Sequence, residues 1–531
     1  MDVVLTSQNL FSLEKASNWA TNFLKREISE NNISYLVQYG KIRKYNTDGQ
    51  TQVNLYDLRK YYESFIGKRE ISWKQKLGDD LNWTLSFDNL REKDTTKHVH
   101  RLHPYKGKFI PQLVEYFLDN HIDDFKRNAY FKPDDIVLDP FMGSGTTLVQ
   151  ANELGIHAIG IDVSHFNCLI SETKLIKPDF DNLAKEIKRI DQEVTNFEVD
   201  NNVKLFESEL ALKLASFNQK RFPSPEYKYR VNQGGINEKI AANEAEQEFL
   251  LEYNNLIKKY NIKLKNGLSN GFLDKWYIKS VHEEIDYAFS KIKKINDITI
   301  KKILAIILSR TIRSCRATTH SDLATLIEPQ LKTYYCFKHK KICKPIFSIK
   351  NMFSRYAYDT LYRLKDFDKL RKKTFDAIIP ADSRTADISR SINNLNPEFG
   401  ELLSKNKIKG IFTSPPYVGQ IDYHEQHAYA YDLLGFERKD KLEIGPLYKG
   451  QGTEAKKSYV YGISDVLINC KKYLVDDYET FLVANDKYNL YPEIAERSGM
   501  RIVNKFKRPV LNRTERDKSP YSEIIFHLKE K

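Results

Sequence analysis

Cysteine is scarce: Cys168, Cys315, Cys336, Cys343 and Cys470 are the only five in 531 residues, too few in so long a chain for a disulfide framework, and the odd count fits a reducing compartment. Long apolar runs are missing as well. The longest purely aliphatic stretch, "ILAIIL" at 303–308, is far too short to span a bilayer, and the opening "MDVVLTSQNLFSLEK" carries no signal-peptide pattern. The expectation is a cytoplasmic chain with no membrane partner. Neither an internal repeat nor an extended low-complexity tract is present, so the length is left for two or three ordinary domains.

Positive charge, by contrast, is abundant and unevenly placed. Lys and Arg number 84 against 71 Asp and Glu, a net +13. Residues 291–375 alone hold +15, while residues 165–290 sum to −2. A surplus focused in one stretch suits a polyanionic partner, such as a phosphate backbone.

Residues 1–97 are polar and aromatic and carry no catalytic pattern. From "HPYKGKFIPQLVEYFLDN" (103–120) a loop enters an amphipathic helix, with Pro111 at its first turn and Leu113, Tyr116 and Phe117 on one face. "DDIVLDPFMGSGTTLVQANELGIHAIGID" then reads as strand, glycine-rich turn, helix closed by Gly155, and strand. This is the first βαβ unit of a doubly wound α/β sheet. Strand rhythm is absent for about two hundred residues after Asp162, and returns at "FDAIIPADSR", "IKGIFTSPPY", "YETFLVANDK" and "YSEIIFHLKE". The organisation expected is an N-terminal extension (1–97), a first catalytic part (98–164), a helical basic insertion (165–375) and a second catalytic part (376–531).

In "DPFMGSGTT", Gly143 and Gly145 let the backbone turn tightly and approach a ligand at a helix N-terminus. Thr146 stands where a P-loop needs lysine, and Leu148 where a dinucleotide fingerprint needs its third glycine. Asp162 ends the next strand, at the spacing where a carboxylate accepts from ribose hydroxyls. Further on, "GIFTSPPYVGQIDYHEQH" (410–427) stops a strand with two prolines. Pro415 and Pro416 end sheet pairing and leave a stiff corner, flanked by the hydroxyl of Ser414 and the ring of Tyr417.

"DPFMGSGTT" and "TSPPY" in one chain resemble the S-adenosylmethionine-dependent DNA amino-methyltransferases, over about 103–164 and 376–531. The resemblance implies a Rossmann-like doubly wound sheet, S-adenosyl-L-methionine as cofactor, double-stranded DNA as partner in a prokaryotic cell, and a cognate restriction endonuclease as a further partner. In that family the residue before Pro-Pro-Tyr is typically Ser in cytosine-N4 enzymes and Asp or Asn in adenine-N6 enzymes, so Ser414 points to cytosine. It also implies a cofactor site of His103, Tyr105, Asp139, Pro140, Phe141, Gly143, Ser144, Gly145, Thr146 and Asp162, with Asp382 of "ADSR" at the cofactor's adenine, and a catalytic set of Ser414, Pro415, Pro416 and Tyr417. Two acceptors, Ser414 Oγ and the Pro415 carbonyl, would draw the target amino nitrogen toward a tetrahedral shape, while Tyr417 stacks on an extruded base. No Pro-Cys nucleophile pattern occurs, so a covalent ring-carbon mechanism is not expected. Adenine-N6 or RNA methylation, and a catalytically inert DNA-binding subunit, are the alternatives.

Within the insertion, "ITIKKILAIILSRTIRSCRATTH" (298–320) reads as a helix with one apolar stripe, whose Arg310, Arg313 and Arg316 would meet phosphates. "YYCFKHKKICKPIF" mixes aromatics with Lys338, Lys340 and Lys341, which suits backbone contact. Cys336, His339 and Cys343 follow closely, with Cys315 or His320 as a fourth ligand for zinc, but the spacing is not a standard pair and no metal is expected.

Overall fold

The computed structural model describes residues 9–531 apart from 25–26, 48, 66–75, 77–80, 88–89, 91, 198–200, 268–270, 321–325 and 511–520. Twelve strands are described. β1 (Leu10–Ser12), β2 (Tyr45–Thr47) and β3 (Gln50–Asn54) form a small sheet in the N-terminal segment. β4 (Ile136–Asp139), β5 (His157–Asp162), β8 (Asp376–Pro380), β9 (Ile408–Thr413), β10 (Leu474–Ala484), β11 (Met500–Pro509) and β12 (Ser522–Glu530) form the central sheet, and β6 (Tyr334–Cys336) pairs with β7 (Lys341–Cys343) in a hairpin.

The central sheet has the order β11-β12-β10-β9-β4-β5-β8. β8, β5, β4, β9 and β10 run parallel, and β12 is inserted antiparallel between β10 and β11. From β4 the chain goes outward to β5 and β8, then returns to the other side of β4 as β9. Strand order therefore reverses between β4 and β9, the place where open α/β sheets hold ligands beyond their carboxyl ends.

Both faces of this sheet are covered, as the apolar content of its strands requires. Period-two alternation sends Val137, Phe412 and Phe481 to one face, where the helices Pro111–Leu118, Thr146–Leu154 and His165–Leu175 pack together with the insertion. Ile136, Leu138, Ile411 and Leu482 go to the other, against Ile388–Leu395, Pro397–Lys405, Thr453–Lys471 and Tyr491–Arg497. The result is three layers, helix on sheet on helix.

Three features depart from the sequence reading. β11 was not anticipated, because Arg501, Lys505 and Lys507 interrupt its apolar rhythm; it is an edge strand, where such charges discourage pairing with another chain. The helix His165–Leu175, expected to open the insertion, packs on β5 and β8 as part of the sheet's own crossover. Residue 97 is not a physical boundary either: Leu85 sits in the main core, Asn82 N donates to Lys507 O at 2.8 Å, and Arg508 Nη1 donates to Leu85 O at 3.1 Å.

The N-terminal segment has its own core of Ala16, Ala20, Ile33, Val37, Val53 and Leu58. It docks on the insertion, where Lys228 Nζ donates to Gln38 O at 3.0 Å and Asn232 Nδ2 to Gly40 O at 2.9 Å. Among the described residues no helix is long and apolar enough to cross a membrane.

One buried carboxylate joins the two strands at the reversal. Asp139, at the end of β4, accepts from Thr147 Oγ1 at 2.6 Å, from Thr413 Oγ1 at the end of β9 at 2.5 Å, and from Phe141 N at 3.1 Å. Burial pushes its carboxyl up to about 6, against the lowering effect of those same donors. Asp139→Ala leaves the buried Thr413 hydroxyl of β9 without its acceptor, and leaves Thr147, on the helix after β4, only Phe412 O at 3.4 Å. Urea unfolding is expected to show a loss of about 2–4 kcal/mol, and an unchanged midpoint would contradict the strand-joining role.

Candidate active site

Just beyond the strand reversal lies a cleft of about 850 Å³, part of it open to solvent. The β4 turn supplies Pro140, Phe141, Met142, Gly143, Ser144 and Thr146, and β5 supplies Asp162. The loop after β8 adds Asp382 and Ser383, and the corner after β9 adds Ser414 and Pro416. Tyr105 and Tyr423 form an aromatic wall, their rings stacked with centroids 5.9 Å apart. The two motifs, some 270 positions apart in the chain, thus face one cavity.

The glycine turn takes its shape from its conformation and from what lies beneath it. Gly145 has φ +70, and a Cβ there would come within 2.7 Å of Ser171 Oγ, so only glycine lets the turn seat against the helix His165–Leu175. Below it, the fully buried amine of Lys174 donates to Ser144 O, and burial holds that amine well below the usual lysine range. Gly143 has φ +52, and a Cβ there would lie 3.0 Å from Tyr105 Oη, inside the cleft. On the other side, Ser383 Oγ donates to Pro140 O at 2.6 Å and ties the β8 loop to the same turn.

Asp162 is the charged centre of the wall. Its carboxylate accepts from Gly143 N at 2.9 Å, Ser164 N at 2.8 Å and Asn167 Nδ2 at 3.1 Å, while burial pushes its carboxyl up to about 6. Asp382, on the cleft wall, accepts a bidentate contact from Arg384, with Nη2 at 2.6 Å. Glu443 accepts from His424 N at 2.9 Å and pairs with His424 Nδ1, fixing the base of the Tyr423 wall.

Four polar atoms on the cleft wall lack a hydrogen-bond partner although buried: Ser144 Oγ, Thr146 Oγ1, Asn167 Oδ1 and His424 Nε2. Buried polar groups are nearly always satisfied, so this set fits a ligand with several donors and acceptors. An amino acid joined to a nucleoside has that character. Ser144, Thr146 and Asn167 suit its amino-acid end, and the Asp162 carboxylate suits ribose hydroxyls.

Several expected site residues lie elsewhere. His103 does not line the cleft; its ring is buried behind the Tyr105 loop, with Nδ1 at 3.0 Å from Pro104 O and Nε2 at 3.3 Å from both Ser309 Oγ and Tyr429 Oη. Asp139 and Gly145 are likewise structural, one bridging strands and the other seating the turn. Pro415 is buried at the corner, and Tyr417 lies beyond Pro416, its hydroxyl donating to Glu523 Oε1 at 2.9 Å and its ring lining a separate cavity of about 320 Å³.

The arginine helix lies inside the protein, not on a DNA-facing surface. Ile298–Cys315 is buried nearly all round, so it is a core helix of the insertion and offers no basic face to a polyanion. Arg310 is buried, paired with Asp359 at 2.6 Å and stacked over Tyr356; Arg316 is buried over Tyr429; Arg313 is half-buried beside His103 and His427. Lys340 is paired with Glu238 at 2.8 Å, leaving Lys338 and Lys341 exposed. Lys108, Asn167, Ser383, His424 and Glu443 were not anticipated as wall residues. Asn167 lies five residues after Asp162, in the first turn of the next helix, a signal that was legible, whereas nothing local marks Glu443.

Strand order, glycine turn and acidic partner together define a methyltransferase-type sheet with a nucleotide cleft at its switch point. A family model described as DNA methylase, of the N6/N4 type, matches residues 15–173. The type II methyltransferase M.MjaII of Methanocaldococcus jannaschii is 48% identical over 530 residues, 98% of this chain and 97% of that protein. M.MvaI of Kocuria varians is 31% identical over 117 residues, 22% of this chain and 24% of that one, and M.BsoBI of Geobacillus stearothermophilus 35% over 83 residues, 16% and 15%. The chain belongs to the S-adenosylmethionine-dependent DNA amino-methyltransferases, the N6/N4 DNA methylase family. The N-terminal segment and the insertion are part of that likeness, since the M.MjaII match runs through both.

Gly143→Ala places a methyl group in the cleft and strains a left-handed backbone. Calorimetry is expected to show S-adenosylmethionine binding weakened about tenfold or more, and unaltered affinity would remove the turn from the cofactor site.

Proposed function

We propose that the protein methylates the exocyclic N4 of cytosine in double-stranded DNA, as the protective partner of a restriction endonuclease. The observation that carries this reading is the common cleft, with Ser414 and Pro416 of the β9 corner facing the turn Pro140–Thr146. The relatives' designation as type II methyltransferases supports the pairing with an endonuclease.

When bound, S-adenosylmethionine supplies a methyl group on a positively charged sulfur. The chain's own task is to place a weak nucleophile against it, because the amino lone pair of cytosine is delocalised into the ring. Ser414 Oγ and the Pro415 carbonyl accept from the two amino hydrogens, which favours a tetrahedral nitrogen as charge develops. The two prolines hold these acceptors still. Stacking of the extruded base on Tyr417 requires its ring to leave the small cavity past Pro416 and turn toward the cleft. The buried positions of all five cysteines, none on the cleft wall, agree with direct transfer. Exposed Lys338 and Lys341 are the phosphate contacts retained from the sequence reading.

Mass spectrometry of nucleosides from DNA treated with purified protein is expected to find N4-methylcytosine. N6-methyladenine in its place would overturn the choice of base while leaving the family intact. Ser414→Ala is expected to reduce turnover about a hundredfold, in the range seen when one preorganised hydrogen-bonding group is lost; full turnover would remove Ser414 from the mechanism.

Asp162 gives the cofactor step a pH signature. Its ionised form accepts from ribose hydroxyls, and its carboxyl sits at about 6, so protonation on the acid side replaces an acceptor with a donor. Affinity for S-adenosylmethionine should fall as pH drops through that value, approaching about tenfold per pH unit below it. Asp162→Asn should bind weakly with no such slope, and the same slope in this variant would assign the titration elsewhere.

A further inference from the structure

Away from the cleft, the hairpin of β6 and β7 brings together four side chains that the mechanism does not use. Cys336 ends β6, His339 sits in the turn and Cys343 ends β7, while His320 arrives from the segment that follows the helix Ile298–Cys315. One ligand-capable atom from each of the four lies within 4.8 Å of every other. His320 Nδ1 is 3.7 Å from Cys336 Sγ, His339 Nδ1 is 3.6 Å from Cys343 Sγ, and the two imidazole rings have centroids 4.4 Å apart. Zinc bonds of about 2.0–2.1 Å to nitrogen and 2.3 Å to sulfur give a tetrahedron with edges of about 3.3–3.8 Å. The two nitrogen–sulfur separations, 3.7 and 3.6 Å, fall on such an edge.

We propose that His320, Cys336, His339 and Cys343 form a structural zinc site. Two thiolates and two neutral imidazoles balance the dication, and four protein ligands close the coordination sphere as structural sites do. The hairpin also has a need for such a tie. Its strands are three residues each; Tyr335 and Ile342 pack into the main core on one face, while the other face has only the small cluster of Tyr334, Cys336 and Cys343. A two-stranded ribbon of that size is not stable by itself.

Polar contacts hold one side of it: Tyr335 N donates to Glu246 Oε1 at 2.5 Å, Ile342 N to Asn218 Oδ1 at 3.0 Å, and Lys340 Nζ to Glu238 Oε2 at 2.8 Å. These anchor the ribbon to the helices Asn201–Arg221 and Glu238–Lys259. The metal would anchor the opposite side, to the segment leaving the core helix. Tyr334 Oη, 2.8 Å from His320 Nδ1, also accepts from His320 N at 3.2 Å, a bond it keeps when the imidazole lone pair goes to the ion. The spacing Cys-x2-His-x3-Cys with a histidine sixteen residues upstream matches no standard signature, which is why the sequence pointed to no metal.

The test is metal analysis of the untagged full-length protein by inductively coupled plasma mass spectrometry. One zinc per chain is expected, released when thiols are blocked with a mercurial. Cobalt exchanged into the site should show thiolate charge transfer and the visible bands of tetrahedral cobalt. Cys336→Ser and Cys343→Ser should each lose the zinc, while Cys470→Ser, in the buried layer behind the sheet, should retain it. If the serine variants fail to fold, the cobalt spectrum and zinc release of the unmutated protein still decide. Sub-stoichiometric zinc after refolding with zinc present, together with free alkylation of Cys336 and Cys343 in the native state, would overturn the site. An intact mass showing a Cys336–Cys343 disulfide in the protein as isolated would overturn it equally.

Discussion

Everything at the cleft depends on the ends of β4 and β9 being held side by side. Asp139 does this with a carboxylate that accepts from a threonine on each side, Thr147 and Thr413. Burying a charge is costly unless donors surround it, and here they come from the two segments that must be joined. From this junction the glycine turn leaves in one direction and the Ser-Pro-Pro corner in the other. Their separation is then set by strand spacing, since Val137 and Leu138 pair directly with Gly410 and Ile411.

Around that junction the molecule is built in shells. The cleft wall combines apolar surface with polar atoms that are partly unsatisfied, and the layer behind it holds that wall in place. Lys174 holds the turn from beneath, Ser383 clasps it from the side, and His103 with Tyr429 backs the Tyr105 loop. The insertion reaches this second layer through Ser309, Arg313 and Arg316, so the basic-rich region supports the aromatic wall from inside. Its charge reads as a surface in sequence, but much of it is internal pairing.

That contrast explains what could be read directly. Glycines with positive φ and prolines that end a strand impose local backbone geometry, so the β4 turn and the β9 corner were legible from neighbouring residues alone. Strands covered on both faces were legible as apolar runs; β11, an edge strand with alternating charge, was not. Arg310 and Arg316 could not be placed, because an arginine paired with aspartate or stacked on a tyrosine in a core has the same local context as one facing solvent. His320 and Cys343 meet only after a helix end and a hairpin are folded together, and Glu443 reaches the cleft from a segment without any pattern.

The central claim is that one cavity serves both motifs. Hydrogen exchange followed by mass spectrometry, with and without S-adenosylmethionine, measures it most directly. The account predicts slowed exchange at 141–147 and, in the same titration, at the amides around Ser414 and Tyr417. Protection confined to the first segment, with 410–424 unchanged at saturation, would contradict it.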